Sequence, residues 1–460
     1  MRSLIFLCSF FACLTLSSAD AVLRVTNNAV NRGIMNELGF EYLSRNPEFI
    51  DIYWNKEAAD RLSSFPDFEA GFLKNSRITD SDVEAQFAGF ARSTDLGVYH
   101  TFAEMEAFLR DIAERYPQIA RLHVVGRTHE NNPVYALEMG RPGADKPTFL
   151  IIGGHHAREW ISHEIPIALI ESLTSGYEKD QEATEILDSC TVVVVPMLNV
   201  DGAIYSQTVS PMWRKNRRPT SGSAIGVDNN RNYAYKWGVS GASSWASADT
   251  YMGPEAMSEK ENQIVRDLQE KYNFTASVSY HSYGELVLWP WSYTNRIVTK
   301  DNAAFEKMGR EMAAIMGYKP IQSAELYPSA GDTDDFLYGE YGVFSFTIEL
   351  GRRFVPQEEQ VESINSKGVK MLRHLLVNGR DPFATIRNEN LYGVKTTLEK
   401  IVRDVIEGGV PEGRVAHYEA LSDITEADLL QAMRELRMTS STRKRILTEL
   451  GQFNRYREME

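Results

Sequence analysis

Phe149-Leu150-Ile151-Ile152-Gly153-Gly154-His155-His156-Ala157-Arg158-Glu159-Trp160 is an apolar run that ends on two glycines, then a pair of histidines and a glutamate, with a helical pattern after it. Four apolar residues bounded by glycine read as a buried strand, so the polar residues sit at a strand-to-helix turn. Turns at strand ends are where α/β sheets carry their binding residues. A His and a Glu three residues apart at such a turn can aim at one metal ion, leaving a third ligand to come from elsewhere. His281, ending a second apolar strand before Ser282-Tyr283-Gly284, is the best candidate. Two His and one Glu with an open fourth position make a catalytic zinc site, not a closed structural one. Adjacent residues at a strand end face opposite ways, so only one of His155 and His156 can share a face with Glu159. His163-Glu164 does not begin the H-E-x-x-H helix of zinc endopeptidases, because position 167 is Ile167.

Working outward, further apolar strands are expected at 122–125, 134–139, 191–197, 276–280 and 343–349, alternating with amphipathic helices. The first helix opens on a capping box, Thr101 with Glu104. Such alternation predicts an α/β domain, a sheet covered by helices on both faces. Before it, residues 1–19 have signal-peptide anatomy: Arg2, an apolar run from Leu4 to Leu16, and small residues up to Ala19. That run is too short for about 30 Å of hydrocarbon, and no comparable run follows, so no membrane span is expected. Residues 20–90 read as a small α+β unit, with strands at VLRV and FIDIYW and a helix from about Asn31. After Gly379 the strands stop. Residues 380–460 read as a helical extension of unassigned role, with Leu391, Val394, Leu398, Ile401, Val402 and Val405 on one helix face.

With 43% hydrophobic and 24% charged residues over 460 positions, the chain is an ordinary globular protein with room for several domains. A net charge of −14 argues against a nucleic-acid partner. Cys8 and Cys13 would leave with the signal peptide, so Cys190 would stand alone, without a disulfide partner, as a buried thiol before an apolar strand.

Six motifs in order carry a family resemblance: HAREW at 156–160, MWRKNRR at 212–218, GVDNNRN at 226–232, YHSYGELVLWPW at 280–291, YPSAGDTDDF at 327–336 and SFTIEL at 345–350. Together with ARSTD at 91–95 and YHTFAEMEAFL at 99–109, they resemble the A/B-type zinc metallocarboxypeptidases across residues 91–379. The resemblance implies a mixed, mostly parallel sheet flanked by helices, with one Zn2+ per catalytic domain on His156, Glu159 and His281. It implies Glu349 as the general base that activates water and passes the proton to the leaving amine, and Arg214 as the stabiliser of the oxyanion. Asn230 and Arg231 match the pair that grips the substrate's terminal carboxylate, to which Arg offers a planar fork. Tyr327 matches a mobile tyrosine that closes over the substrate, and Arg158 a further substrate contact.

Asp334 falls where the resemblance puts the floor of the side-chain pocket, apolar in the A type and Asp in the B type. A buried carboxylate there favours a substrate Lys or Arg. The implied protein is a secreted zymogen, exported or held in the lumen of the secretory or endolysosomal pathway. It acts on the C-termini of peptides or proteins, with residues 20–90 as a prosegment removed by an activating protease at Arg77 or Arg92. The alternatives are an A-type enzyme for apolar or aromatic ends and an inactive secreted binding protein. Against the latter, His156, Glu159, His281, Glu349 and Arg214 are all present. The chain departs from the family at Asp332, in place of a glycine, at Ala224 and Ala246, in place of a disulfide, and in a shortened loop after Glu349. Asn273-Phe274-Thr275 is a candidate N-glycosylation site.

Overall fold

The computed structural model describes residues 21–38, 40, 42–45, 49–54, 62, 76–79, 96–143, 146–383 and, further on, 398, 401, 433, 436 and 446–448. It divides into two units, residues 1–380 and 381–460.

Near the N-terminus, β1 (Ala21–Thr26), β2 (Tyr42–Arg45), β3 (Phe49–Trp54) and β4 (Ser76–Thr79) form an antiparallel sheet in the order β2-β3-β1-β4. Leu23, Val25, Ile50 and Ile52 alternate on their strands and meet Ile34, Met35 and Leu38 of the helix Ala29–Leu38 in one buried cluster. The strands expected at VLRV and FIDIYW are β1 and β3. Arg77 lies in β4, paired with Arg24 of β1, and a ladder-paired backbone is a poor protease target compared with an exposed loop. Arg92 and the signal segment lie outside the described residues.

The larger sheet has eight strands: β5 (Ala120–Arg127), β6 (Pro133–Met139), β7 (Thr148–Ile152), β8 (Thr191–Val195), β9 (Ala276–His281), β10 (Leu286–Trp289), β11 (Lys319–Gln322) and β12 (Phe344–Glu349), in the order β11-β10-β12-β9-β7-β8-β6-β5. Its centre, β12-β9-β7-β8, is parallel, as is the pair β10-β11, while β10-β12, β8-β6 and β6-β5 are antiparallel. β7, β8, β9 and β12 are buried almost throughout, which is why they read as continuous apolar runs and not as alternating ones. β10 and β11 went unread: four residues are too few to display a period.

The flanking helices obey local rules. Phe102–Arg115 carries the expected capping box, with Thr101 Oγ1 accepting from Glu104 N at 3.2 Å and Glu104 Oε2 accepting from Thr101 N at 2.9 Å. Lys260–Tyr272 ends on Asn273, which is left-handed at φ 50°, exposed, and leads directly into β9. Where the disulfide is missing, hydrogen bonds hold the chain: Thr220 Oγ1 donates to Ala224 O at 2.6 Å and Lys215 Nζ to Ala246 O at 2.9 Å. Cys190 is fully buried. In the C-terminal unit, Leu398, Ile401, Met433 and residues 446–448 are helical, and Leu398, Ile401, Met433 and Ile446 are buried. Among the described residues no helix is long and apolar enough to cross a membrane.

Candidate active site

Beyond the carboxyl end of β7 the chain turns sharply. A side chain at Gly153 would stand 2.4 Å from both Pro196 O and Ser162 O, so only glycine fits. The two histidines that follow diverge. His155 turns into the core, its Nε2 2.9 Å from both Tyr233 Oη and Thr333 Oγ1 and its Nδ1 3.1 Å from Ser279 Oγ, and burial holds it neutral with a pKa well below the usual imidazole value. His156 turns the other way and meets Glu159, with Nδ1 2.8 Å from Glu159 Oε1. The question between the two histidines is thereby decided for His156.

His281, the last residue of β9, completes the group: its Nδ1 lies 3.0 Å from His156 Nδ1 and 3.1 Å from Glu159 Oε2. The outer nitrogens are engaged elsewhere, His156 Nε2 with Asp228 Oδ1 at 3.1 Å and His281 Nε2 with Ser279 Oγ at 3.0 Å. Asp228 Oδ1 can accept a proton from His156 Nε2, which leaves Nδ1 as the nitrogen that faces Glu159 and His281. Two imidazole nitrogens and a carboxylate oxygen thus converge on one point, all within 4.8 Å of one another. That donor set, closed on one side by outer hydrogen bonds, fits a zinc ion. Burial alone would raise Glu159, but His156 and His281 beside it hold its carboxyl below the usual range.

A second cluster, His129, Glu259 and Glu261, is differently built. Asn216 Nδ2 donates to both carboxylates, at 2.7 and 3.2 Å, and Arg218 Nη1 donates to Glu259 at 2.6 Å. Donors already point into it, and burial pushes Glu261 up to about 7, so hydrogen bonds from the protein close this cluster. The pair His163-Glu164 also stays apart from the metal group. Glu164 accepts from His100 N at 2.8 Å, while neither ring nitrogen of buried His163 has a hydrogen-bond partner among the described residues.

Glu349 ends β12 and is the register neighbour of His281 across the parallel β9-β12 ladder. Burial and the nearby Glu159 push its carboxyl well above the usual range. Glu349 lines one pocket with His156, His281, Asn230, Arg231 and Tyr327. Asn230 and Arg231 stand on a short turn, Asn229–Arg231, capped by Asp228. Asn230 Oδ1 accepts from Thr333 N at 3.0 Å and Thr333 Oγ1 at 2.9 Å, which fixes the amide so that Nδ2 is its donor face. Arg231 is anchored by Nε to Gly241 O at 2.9 Å and by Nη1 to Asn230 O at 2.7 Å. Tyr327 lies under the Arg231 guanidinium, 5.9 Å from ring centroid to Cζ, and packs against the apolar cluster of the N-terminal sheet.

Arg214 is buried beside the metal group, with Nη1 3.8 Å from Glu159 Oε1. Sequence reasoning missed what holds it there. Asp228 Oδ2 accepts from Arg214 Nε and Nη2 while its Oδ1 takes His156. The signal was present in GVDNNRN, but only the pairing across the fold reveals it. Of the expected residues, Glu159, Arg214, Arg158 and Asp334 are not in the pocket lining. Arg158 is fully buried, donates from Nη1 to Met212 O at 3.2 Å, and stacks on Phe354 at 4.6 Å. Asp334 is also buried, with Oδ1 accepting from Ser345 Oγ at 2.7 Å.

The profile of the zinc carboxypeptidase family matches residues 105–370. Human carboxypeptidase B is 34% identical over 279 residues, covering 58% of this chain and 67% of that one. Human carboxypeptidase A1 is 33% identical over 288 residues, covering 59% and 68%. The crystal structure of carboxypeptidase A from Helicoverpa armigera superposes with a TM-score of 0.67 at 19% identity, over 80% of this chain and 99% of that one, which bears on the fold. With the metal group assembled by the same strand ends that carry the matching motifs, the chain belongs to the zinc carboxypeptidase family and is a metallocarboxypeptidase.

Proposed function

We propose that this enzyme is made as a secreted precursor and, once activated, removes a C-terminal Lys or Arg from peptides or proteins. The observation that carries the reading is the presence of two carboxylate-binding donors, Asn230 and Arg231, in the same pocket as His156, His281 and Glu349. A mid-chain peptide bond offers no carboxylate to those donors, so the arrangement favours the last bond. Zinc held by His156, Glu159 and His281 supplies Lewis acidity and acidifies water. Glu349 takes the proton of the attacking water and delivers it to the leaving amine. Arg214 lends its charge to the carbonyl oxygen as that oxygen becomes anionic, in a site dry enough for the charge to count.

The preference for basic ends rests on Asp332, which lines this pocket, and on Asp334, buried in the same turn. Leu288 and Leu326 in the lining favour a second reading, release of apolar residues. Latency is supported by Tyr327, whose ring packs against the N-terminal core instead of standing free for a substrate. The test is hydrolysis of peptides that differ only in the last residue, Lys, Arg, Leu, Phe or Glu, with and without a chelator, before and after limited proteolysis. Chelator-sensitive release of Lys and Arg that rises after proteolysis supports the reading. A preference for Leu and Phe would replace it with the second one, and full activity before proteolysis would remove latency.

A further inference from the structure

Three acids crowd the turn into the helix Thr333–Tyr341, and they face different ways. Asp335 is spent on the backbone, accepting from Ser292 N at 2.8 Å and Tyr293 N at 2.9 Å. Asp334 keeps one oxygen on Ser345 Oγ, and its Oδ2 has no partner among the described residues. Asp332 alone of the three lines the pocket, together with Ser329, Thr347 and Leu288. It is also the N-cap of the helix, its Oδ1 accepting from Asp335 N at 2.9 Å and its Oδ2 from Ser329 Oγ at 3.3 Å. A carboxylate has about four acceptor positions, so these two bonds leave capacity for a donor arriving from the pocket.

The N-terminus of a helix favours the ionised form of its cap. Two neighbouring buried carboxylates do not readily ionise together. Burial raises all three acids of the turn, Asp334 up to about 8, and at Asp332 the cap bond from Asp335 N acts in the opposite direction.

We propose that Asp332 is the specificity-determining residue, the carboxylate that meets the ammonium or guanidinium of the substrate's last residue, while Asp334 lies buried beside it. Leu288 then lies along the methylene stem, as apolar surfaces do for Lys and Arg. This rests on the proposed release of Lys and Arg, and the position is one where the family resemblance supplies a glycine.

The test compares the proteolytically activated enzyme with its Asp332→Asn and Asp334→Asn variants on peptides ending in Arg, Lys, Phe or citrulline, the neutral counterpart of Arg. Asn keeps an acceptor for the helix cap. Losing one partner of a buried charge pair is expected to lower the Arg-to-citrulline ratio of kcat/KM on the order of 100-fold in Asp332→Asn, mostly through KM. The same ratio should fall less than about 5-fold in Asp334→Asn, where no direct pair is lost. The reverse order would overturn the proposal and assign the contact to Asp334. An equal loss on every peptide would also overturn it, since that marks a purely structural role. If Asp332→Asn does not fold, Asp332→Gly, also a tolerated cap residue, takes its place. A wild type that prefers Phe to Arg defeats the specificity reading itself, and the inference with it. A wild type that prefers Arg, with a ratio unmoved in Asp332→Asn, defeats the inference alone.

Discussion

Asp228 grips Arg214 through two N–H groups, from Nε at 3.1 Å and from Nη2 at 2.8 Å, on a single carboxylate oxygen. Burial would raise Asp228, but Arg214 and His156 hold it well below the usual carboxylate range, so it stays ionised between the cation and the metal ligand. Asp228→Asn should weaken zinc binding about 10- to 100-fold and lower kcat, because an outer partner of a ligating His is lost and Arg214 loses its counter-charge. Competition with a chelator measures the first effect. An unchanged zinc affinity would detach Asp228 from the metal group.

Glu349 and His281 share a rung of the β9-β12 ladder, so the proposed base and the metal ligand are fixed relative to each other by backbone pairing and not by a loop. Glu349→Gln should therefore fold and keep its zinc, while kcat drops about 10²- to 10⁴-fold from loss of proton transfer. Metal analysis alongside single-turnover rates checks this, and near-normal turnover would remove Glu349 from the chemistry.

Arg231 is clamped by two backbone carbonyls, at 2.9 and 2.7 Å, which preorganises its fork for a carboxylate. In Arg231→Ala the advantage of a free C-terminal carboxylate over the matching C-terminal amide should shrink on the order of 100-fold, the worth of charge-assisted hydrogen bonds. Lys should restore only part of it, because a point charge lacks the fork. Equal discrimination in Arg231→Ala and wild type would count against the assignment.

Asp334 carries a pH signature of its own. Its folded pKa is raised to about 8 against an ordinary 3.8, so between those values the folded chain binds more proton than the unfolded one. Stability should fall as pH rises through that window, and Asp334→Asn should flatten the slope and gain most near pH 8. Urea midpoints at intervals of pH test it. A slope unaltered by the substitution would mean Asp334 is not the group responsible.

Much of the fold was readable because its central strands are buried on both faces and write themselves as apolar runs: β7, β8, β9 and β12 stand within a few residues of where they were expected. The metal group was readable for a related reason, since His156 and Glu159 lie in the turn after β7 and His281 ends β9. What escaped depends on partners distant in sequence. Asp228 gains its meaning from His156 and Arg214, and nothing local distinguishes it from other acids. The depths of Asp332 and Asp334 are set by which one caps a helix, so counting along the motif could not rank them. Arg158 is buried with its guanidinium 4.6 Å from the Phe354 ring, a contact that nothing in its local sequence announces.

Cys190 has one further consequence. It is fully buried, with Sγ 3.5 Å from Leu376 O, and burial raises its thiol pKa, so little reactive thiolate forms. None of the residues lining the pocket is a cysteine. Catalysis should therefore be indifferent to ambient redox poise: turnover is expected to be equal under oxidising conditions and in a phosphine reductant that does not bind zinc. Among the described residues Cys190 is then no site at which an oxidant would be expected to act on turnover.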